Sequence, residues 1–139
     1  MHTYSRLYIH TVFSVKNRAE LISAEWETNL HKIIGSTLKE IGCTPIITNG
    51  TADHIHCFYV LLPSINISET MKMVKGRSSR WINKNHVFES KFRWQRGFAA
   101  FSVNANDYKN MYYYIKNQKE KHLKITMKQE LELLNQTAR

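Results

Sequence analysis

Two histidines separated by a single residue, His54 and His56, lie in an apolar run that continues to Leu62. Side chains two apart on a β-strand point to the same face of the sheet, so both imidazoles would face the same way. Tyr114 and Gln118 lie four residues apart in a segment that is predicted to be helical, and they would share one helix face. Two imidazoles and an amide oxygen are suitable ligands for a divalent metal ion, and a tyrosine nucleophile needs a metal-polarised phosphate or nearby positive charge. The four residues together predict cleavage of a phosphodiester by a tyrosine.

Each of these features also has a purely structural explanation. Two histidines in a strand are ordinary polar residues, and helical tyrosines such as Tyr112, Tyr113 and Tyr114 usually pack against a core. The chemical interpretation is favoured because the parts need one another: the nucleophile needs the metal, and the metal needs the ligands.

The elements that would position these residues follow the order βαββαβ. We expect strands at residues 6–15, 43–49, 54–62 and 92–103, one helix from an N-cap at Ser23 to about Ile41, and another from Ser68 to about Asn83. This order is typical of the ferredoxin-like α+β fold, an antiparallel sheet with two helices on one face. The alternation in the third strand assigns Ile55, Cys57, Tyr59 and Leu61 to the helix-covered core and both histidines to the opposite face.

Two further helices are predicted after the sheet. Asn104 and Asp107 resemble a capping box for a helix that runs to about His122, and Thr126 with Gln129 repeats the pattern for a terminal helix. The terminal helix is too short to be stable alone, so we expect it to dock on the open face of the sheet or on a second subunit.

The composition predicts one soluble domain over residues 1–139 with a polyanionic partner. The net charge is +9 and the pI is about 9.7. No apolar stretch is long enough for a membrane span, and residues 1–6 lack the layout of a signal peptide, so we expect a cytoplasmic protein. If the partner is DNA, the protein would be associated with the nucleoid when it acts. The cysteines, Cys43 and Cys57, are predicted to be buried free thiols. Basic residues concentrate between Glu69 and Arg96, and the proposed DNA contacts among them are Lys72, Lys75, Arg77, Arg80, Lys84, Arg93 and Arg96.

Four blocks of the chain resemble the IS200/IS605-type single-tyrosine transposases of the HUH endonuclease superfamily. The blocks are His54–His56, Lys75–Ile82, Trp94–Val103 and Tyr114–Gln118, and Val12-Phe13 and Lys16–Arg18 also match, all in the order of the family.

The resemblance implies that Tyr114 attacks single-stranded DNA and forms a 5′-phosphotyrosine intermediate with a free 3′-hydroxyl. It also implies that His54, His56 and Gln118 bind Mg²⁺ or Mn²⁺. The expected substrate is single-stranded DNA with hairpin ends, cut and rejoined at the ends of an insertion sequence. The family implies a homodimer in which the tyrosine helix completes the partner's histidine pair.

Two alternatives remain open at this point. One is a non-catalytic, domesticated protein that binds DNA hairpins on the same scaffold. The other is an RNA-binding ferredoxin-like module that stacks bases on its sheet, which would explain the charge and the aromatics but not the metal-ligand pattern.

Overall fold

The structure of the protein is a computed structural model that describes residues 4–122 and 125–137. The prediction about a signal peptide concerns in part residues 1–3, which lie outside the described residues. Among the helices of the described ranges, none combines the length and the apolar character needed to cross a membrane.

The sheet has four strands, β1 Leu7–Ser14, β2 Thr44–Gly50, β3 His54–Leu61 and β4 Ala99–Ser102. Their order in the sheet is β2-β3-β1-β4, and every neighbouring pair is antiparallel. The ferredoxin-like α+β prediction is therefore confirmed, and β3 with its histidines lies in the interior of the sheet rather than at an edge.

Two helices, α1 Glu27–Glu40 and α2 Ile67–Asn85, cover one face of the sheet. The alternation predicted for β3 is confirmed, because the core on this face contains Ile55, Cys57, Tyr59 and Leu61 together with buried residues of both helices. Cys43 and Cys57 are buried free thiols, as predicted.

The helix starts differ from the predicted ones. Ser23 does not cap α1: its hydroxyl accepts the N–H of Glu25 in a turn, and the helix begins only at Glu27. The N-cap of α2 is Asn66 rather than Ser68, since the Asn66 side chain accepts the N–H of Glu69 at 2.8 Å. An Asn side chain caps at least as well as a Ser, which explains the earlier start.

The predicted strand 92–103 is wrong over most of its length. Only Ala99–Ser102 pairs as a strand, and Trp94 makes an isolated bridge with Val15. In the segment between them, Lys75 donates to the carbonyls of both Gln95 and Gly97 at 2.7 Å, and the Gln95 N–H donates to the Ser14 carbonyl at 2.8 Å. Gly97 has φ +81°, a left-handed value that glycine adopts without strain and that turns the chain into β4.

The single helix predicted from Asn104 to His122 is broken. The Asn104 side chain accepts the N–H of Asn106 and caps a 3₁₀ turn rather than forming a box with Asp107. Two helices follow, α3 Tyr108–Lys116 and α4 Gln118–Lys121. At the break, Asn49 Nδ2 donates to the carbonyls of residues 115 and 116, which a continuous helix would use for its own bonds.

The terminal helix α5, Met127–Thr137, begins with the predicted capping box. The Thr126 N–H donates to Gln129 Oε1 at 2.9 Å, and the Gln129 N–H donates to Thr126 Oγ1 at 3.2 Å. Helices α3–α5 supply buried side chains to the second face of the sheet, namely Ile115, Gln118, Met127 and Glu130. The expectation that the terminal helix docks on this face is confirmed within one chain.

Candidate active site

His54 and His56 lie side by side on the sheet face that α3–α5 cover, and both side chains are fully buried. In register with the neighbouring strand, His54 pairs with Ser14 and His56 pairs with Val12. The pleat of an interior strand fixes the direction of both side chains, so the imidazoles are held by the sheet rather than by a loop.

The Nδ1 atoms of both imidazoles are occupied by neighbours. His54 Nδ1 lies 2.6 Å from Asp53 Oδ1 and 2.9 Å from Thr51 Oγ1, and His56 Nδ1 lies 2.7 Å from His10 Nε2. Such partners orient the ring of a metal-binding histidine and leave Nε2 for the ion. His54 Nε2 is buried without any hydrogen-bond partner, which is the state expected of an atom that serves as a metal ligand.

The pKa values of these imidazoles are shifted in different directions by burial and by nearby carboxylates. It lowers the pKa of His56 to about 4 and that of His10 to about 3. For His54, burial also lowers the pKa, but the carboxylates of Asp53 and Glu130 outweigh it and the net shift is upward. His10 and His56 are therefore neutral near pH 7, the form in which an imidazole binds a metal.

Tyr114 and Gln118 reach the same point from the helical layer. The ring centroid of Tyr114 lies 6.1 Å from that of His56, and its hydroxyl donates a hydrogen bond to Glu130 Oε2. Gln118 Nε2 donates to the same Oε2 at 2.8 Å, while Gln118 Oε1 is buried without a partner. The structure thus brings together all four residues that the sequence predicted for the chemical site, and it does so within one chain.

Sequence reasoning missed Glu130 and gave His122 no role. Glu130 Oε1 lies 2.8 Å from His122 Nε2, 3.0 Å from His56 Nε2 and 3.6 Å from His54 Nε2. A signal for Glu130 was present: it is a charged residue within the otherwise apolar stripe Met127, Leu131 and Leu134 of α5, where only a paired charge can be buried.

The charge state of Glu130 follows from its neighbours. Burial alone would raise the pKa of this carboxyl, but the nearby His54, His56 and Tyr114 outweigh burial and hold the pKa far below its ordinary value. Burial and the Glu130 carboxylate in turn raise the pKa of the Tyr114 phenol well above its ordinary value. The site therefore contains an ionised carboxylate and a protonated phenol.

The described side chains fit a divalent cation. His54, His56, His122 and Glu130 each offer one ligand atom, and these atoms all lie within 4.8 Å of one another. Two of the available donor atoms, His54 Nε2 in this group and Gln118 Oε1 beside it, are buried without a hydrogen-bond partner. Imidazole nitrogens combined with carboxylate and amide oxygens suit Mn²⁺ and Zn²⁺, and more oxygen-rich sets suit Mg²⁺.

The predicted DNA-contact residues lie mostly away from this centre. Lys72, Arg80 and Lys84 are exposed on α2, which packs on the opposite face of the sheet. Arg77 forms an ion pair with Glu40 of α1, and Lys75 is engaged with loop carbonyls.

Arg93 and Arg96 lie closer to the centre, in the loop that precedes β4. The N–H of Lys16 donates to the Arg93 carbonyl at 3.0 Å, and Arg96 lines a small cavity together with Ser14 and Met127. Both residues are exposed, and their segment runs beside the end of β1, where Ser14 pairs with His54.

A larger cleft of about 760 Å³ opens beside the centre. One wall contains Asp53 of the β2–β3 turn and Arg18 of the segment after β1. The other contains Lys119 and His122 of α4 and its C-cap, and Met127 at the start of α5. The cleft gives solvent-side access to the edge of the histidine cluster.

The fold and the cluster define the class, a small α+β protein with a His-x-His pair on its sheet and a tyrosine on a covering helix. The model of the IS200-like transposases matches residues 3–118, and the chain belongs to this family. The transposase role that the sequence predicted is thereby confirmed.

Solved structures with the same fold include a candidate transposase from Deinococcus radiodurans R1 and a REP-associated tyrosine transposase bound to a REP hairpin. The first has a TM-score of 0.68 at 19% identity and covers 85% of this chain and 95% of its own. The second has a TM-score of 0.65 at 18% identity and covers 88% of this chain and 74% of its own. Curated proteins give no match.

Proposed function

We propose that this transposase nicks and rejoins single-stranded DNA at hairpin-bearing element ends, with Tyr114 as the nucleophile. The observation that carries the proposal is the convergence of the Tyr114 hydroxyl, the Gln118 amide and the His56 imidazole on one buried carboxylate. A nucleophile and three polar groups at one point, on a basic protein of this family, suit phosphoryl transfer to a tyrosine.

The step balances without an external energy source. The Tyr114 oxygen attacks the scissile phosphorus, the bond from phosphorus to the 3′-oxygen breaks, the phenol proton passes to a base, and the leaving 3′-oxygen acquires a proton. The enzyme is then linked to the 5′-phosphate, and attack by a 3′-hydroxyl on this link reverses the chemistry and joins strands. The bond energy is kept in the phosphotyrosine.

His54, His56 and Gln118 are the residues proposed to hold Mg²⁺ or Mn²⁺. When bound, such an ion polarises a phosphate oxygen and stabilises the charge that develops in the transition state. Asp53 and His10 would keep the two imidazoles oriented through their Nδ1 atoms.

The proposed partner is single-stranded DNA, bound through exposed Lys and Arg side chains, with Arg93 and Arg96 next to the site. The proposal also includes a homodimer acting in the cytoplasm at the nucleoid. In the structure Tyr114 lies against the histidines of its own chain, so we propose that each site of the dimer is built from one chain rather than shared.

The RNA-binding alternative is disfavoured because it requires an open sheet face for base stacking, and α3–α5 cover the face opposite α1 and α2. The non-catalytic hairpin binder is disfavoured because it gives no reason for a buried cluster with two orphaned ligand atoms.

The experiment that tests the proposal uses single-stranded oligonucleotides from the hairpin-forming sequences that flank the gene, labelled at the 3′ end, with Mn²⁺. The proposal predicts label that stays on the wild-type protein through SDS and is absent with Tyr114→Phe or with EDTA. Hairpin binding by Tyr114→Phe should equal that of the wild type. Tight binding without any adduct would favour the non-catalytic alternative instead.

A further inference from the structure

The carboxylate of Glu130 is fully buried on the sheet face that α3–α5 cover. Within residues 4–122 and 125–137, its ion-pair partners are the imidazoles of His54, His56 and His122, and no Lys or Arg side chain pairs with it. A buried carboxylate in a native protein is paired with a cation or coordinates a metal. Three imidazoles around one buried carboxylate are the ligand types that a transition-metal site combines.

The distances around Glu130 match a coordination shell. Oε1 lies 2.8–3.6 Å from the Nε2 atoms of His122, His56 and His54, and the four ligand atoms fall within 4.8 Å of one another. Ligand atoms at about 2.0–2.2 Å from one ion lie at most about 4.4 Å apart. The separations among the four atoms are therefore of the size expected for ligands that converge on one cation.

The hydrogen bonds of these side chains to residues outside the cluster use their other polar atoms. His54 and His56 engage their neighbours through Nδ1, so each Nε2 is directed toward Glu130. Glu130 Oε2 accepts hydrogen bonds from Tyr114 and Gln118, which orients the carboxylate and leaves Oε1 toward the imidazoles.

The same residue connects the cluster to the terminal helix. Met127 and Glu130 are the buried residues among those of α5 whose burial is described. An eleven-residue helix is not stable alone, so its docking depends on contacts with the rest of the chain such as these. Any ion that binds Glu130 would tie α5 to the sheet.

We propose that Glu130 and His122 are two further metal ligands of this chain, in addition to His54, His56 and Gln118, and that metal binding and the docking of α5 are coupled. This inference rests on the proposed function, in which the histidine pair binds a divalent ion. It adds a carboxylate from α5 to the ligand set that the sequence predicted.

Direct titration of Mn²⁺ into the metal-free full chain, by calorimetry and by the loss of the free Mn²⁺ signal in electron paramagnetic resonance, tests the ligand set. Glu130→Gln keeps the size and hydrogen-bonding capacity of the side chain but removes the charge, and we expect it to weaken Mn²⁺ binding at least tenfold. His122→Ala should weaken binding similarly. Glu132→Gln is the matched control, since Glu132 is exposed on the same helix, and it should bind like the wild type.

Hydrogen exchange provides a second readout that does not depend on activity. In the wild type, Mn²⁺ should slow the exchange of α5 amides, and in Glu130→Gln it should not. Circular dichroism of the metal-free variants checks that they fold.

The outcomes separate this inference from the proposed function. Wild-type affinity in folded Glu130→Gln, together with lost binding in His56→Ala, would overturn the role of Glu130 and leave the histidine site intact. Absence of Mn²⁺ binding by the wild type would overturn both.

Discussion

The hydroxyl of Tyr114 on α3 donates a hydrogen bond to the carboxylate of Glu130 on α5, and the other oxygen of that carboxylate lies 3.0 Å from His56 on β3. One buried acidic side chain thus connects the proposed nucleophile to the proposed metal-binding strand. Burial together with this carboxylate raises the pKa of Tyr114. The phenol keeps its proton in this arrangement, and attack on a phosphate requires the hydrogen bond to Glu130 to be exchanged.

The pairing of Asp53 with His54 should determine how well the site binds metal. Asp53→Asn keeps the shape of the side chain but removes the charge that faces His54 Nδ1 at 2.6 Å. Loss of such an orienting partner typically costs about 10–100-fold in metal affinity, and we expect a loss of Mn²⁺ affinity in this range by calorimetry. Glu20→Gln serves as the control, because it also removes a carboxylate charge, but from an exposed residue that lines the adjacent cleft. Equal affinities for Asp53→Asn and the wild type would exclude an orienting role.

The basic residues should contribute unequally to DNA binding. Arg96 is exposed and lies in the loop beside the site. In single-strand binding, each phosphate contact adds about 0.7 to the magnitude of the slope of log K against log salt. Arg96→Ala should reduce the slope of log K against log salt by about this amount, as measured by fluorescence anisotropy. Lys32→Ala, which removes the same charge from α1 beside the β2 edge, should leave the slope unchanged. Equal slopes for all three proteins would place the DNA elsewhere.

Lys75 is expected to behave differently from the exposed basic residues. Its ammonium group links the carbonyls of Gln95 and Gly97, and burial lowers the pKa of Lys75. Lys75→Met keeps the aliphatic stem and removes the donor, and we expect it to lower the free energy of unfolding by about 1.5–3 kcal/mol, the range for hydrogen bonds to charged groups. Urea denaturation measures this loss, with Lys72→Met as the exposed control on the same helix. Identical midpoints would show that the loop does not depend on Lys75.

Mixing two inactive variants tests whether each site belongs to one chain. Tyr114→Phe and His56→Ala each lack one half of the site, and a site shared between subunits would regain activity in the mixed dimer. Because Tyr114, His56 and Glu130 contact one another within a single chain, we expect no regain of cleavage. Cleavage that appears only after the variants are unfolded and refolded together would mean that α3–α5 exchange between subunits.

A pH effect on stability is expected from His31 on α1. Burial lowers the pKa of His31 to about 4, with Glu27 raising it and Lys119 lowering it further. The unfolded chain therefore binds more protons than the folded chain between about pH 6.5 and pH 4, so stability falls as the pH falls through this window. The loss is at most about 3 kcal/mol, since one pKa unit corresponds to about 1.4 kcal/mol.

His31→Gln removes this titration and keeps a helix-compatible side chain. Between pH 7 and pH 4 the wild type should lose more unfolding free energy than this variant does. The variant should therefore be more stable relative to the wild type at pH 4 than at pH 7. Urea denaturation at both pH values measures it. A difference that does not vary with pH would mean that His31 titrates alike in the folded and unfolded states.

The sheet could be predicted from the sequence because its signals are local. Period-two alternation in β3 was enough to place His54 and His56 on the face opposite the core, and Gly42, with φ +98°, ends α1 where a helix stop was expected. The capping pattern of Thr126 and Gln129 likewise located the start of α5.

The remaining features depend on contacts between distant segments. The break at Asn117 coincides with hydrogen bonds from Asn49, and the short β4 follows a loop that Lys75 holds. Glu130 joins the site only because α5 packs onto the sheet, and no spacing relative to His54 or Tyr114 encodes this contact. Its position inside an apolar helix stripe was the available signal.

The most direct test of the central claim locates the covalent DNA link on the protein. The adduct formed with Mn²⁺ and single-stranded DNA would be digested with nuclease and trypsin, and fragment spectra would be recorded for the peptide of residues 110–116, which contains Tyr112, Tyr113 and Tyr114. The account predicts the nucleotide phosphate on Tyr114 alone, because only this tyrosine hydroxyl reaches the cluster among the described contacts. A phosphate on Tyr112 or Tyr113, or an equal adduct yield from Tyr114→Phe, would contradict it.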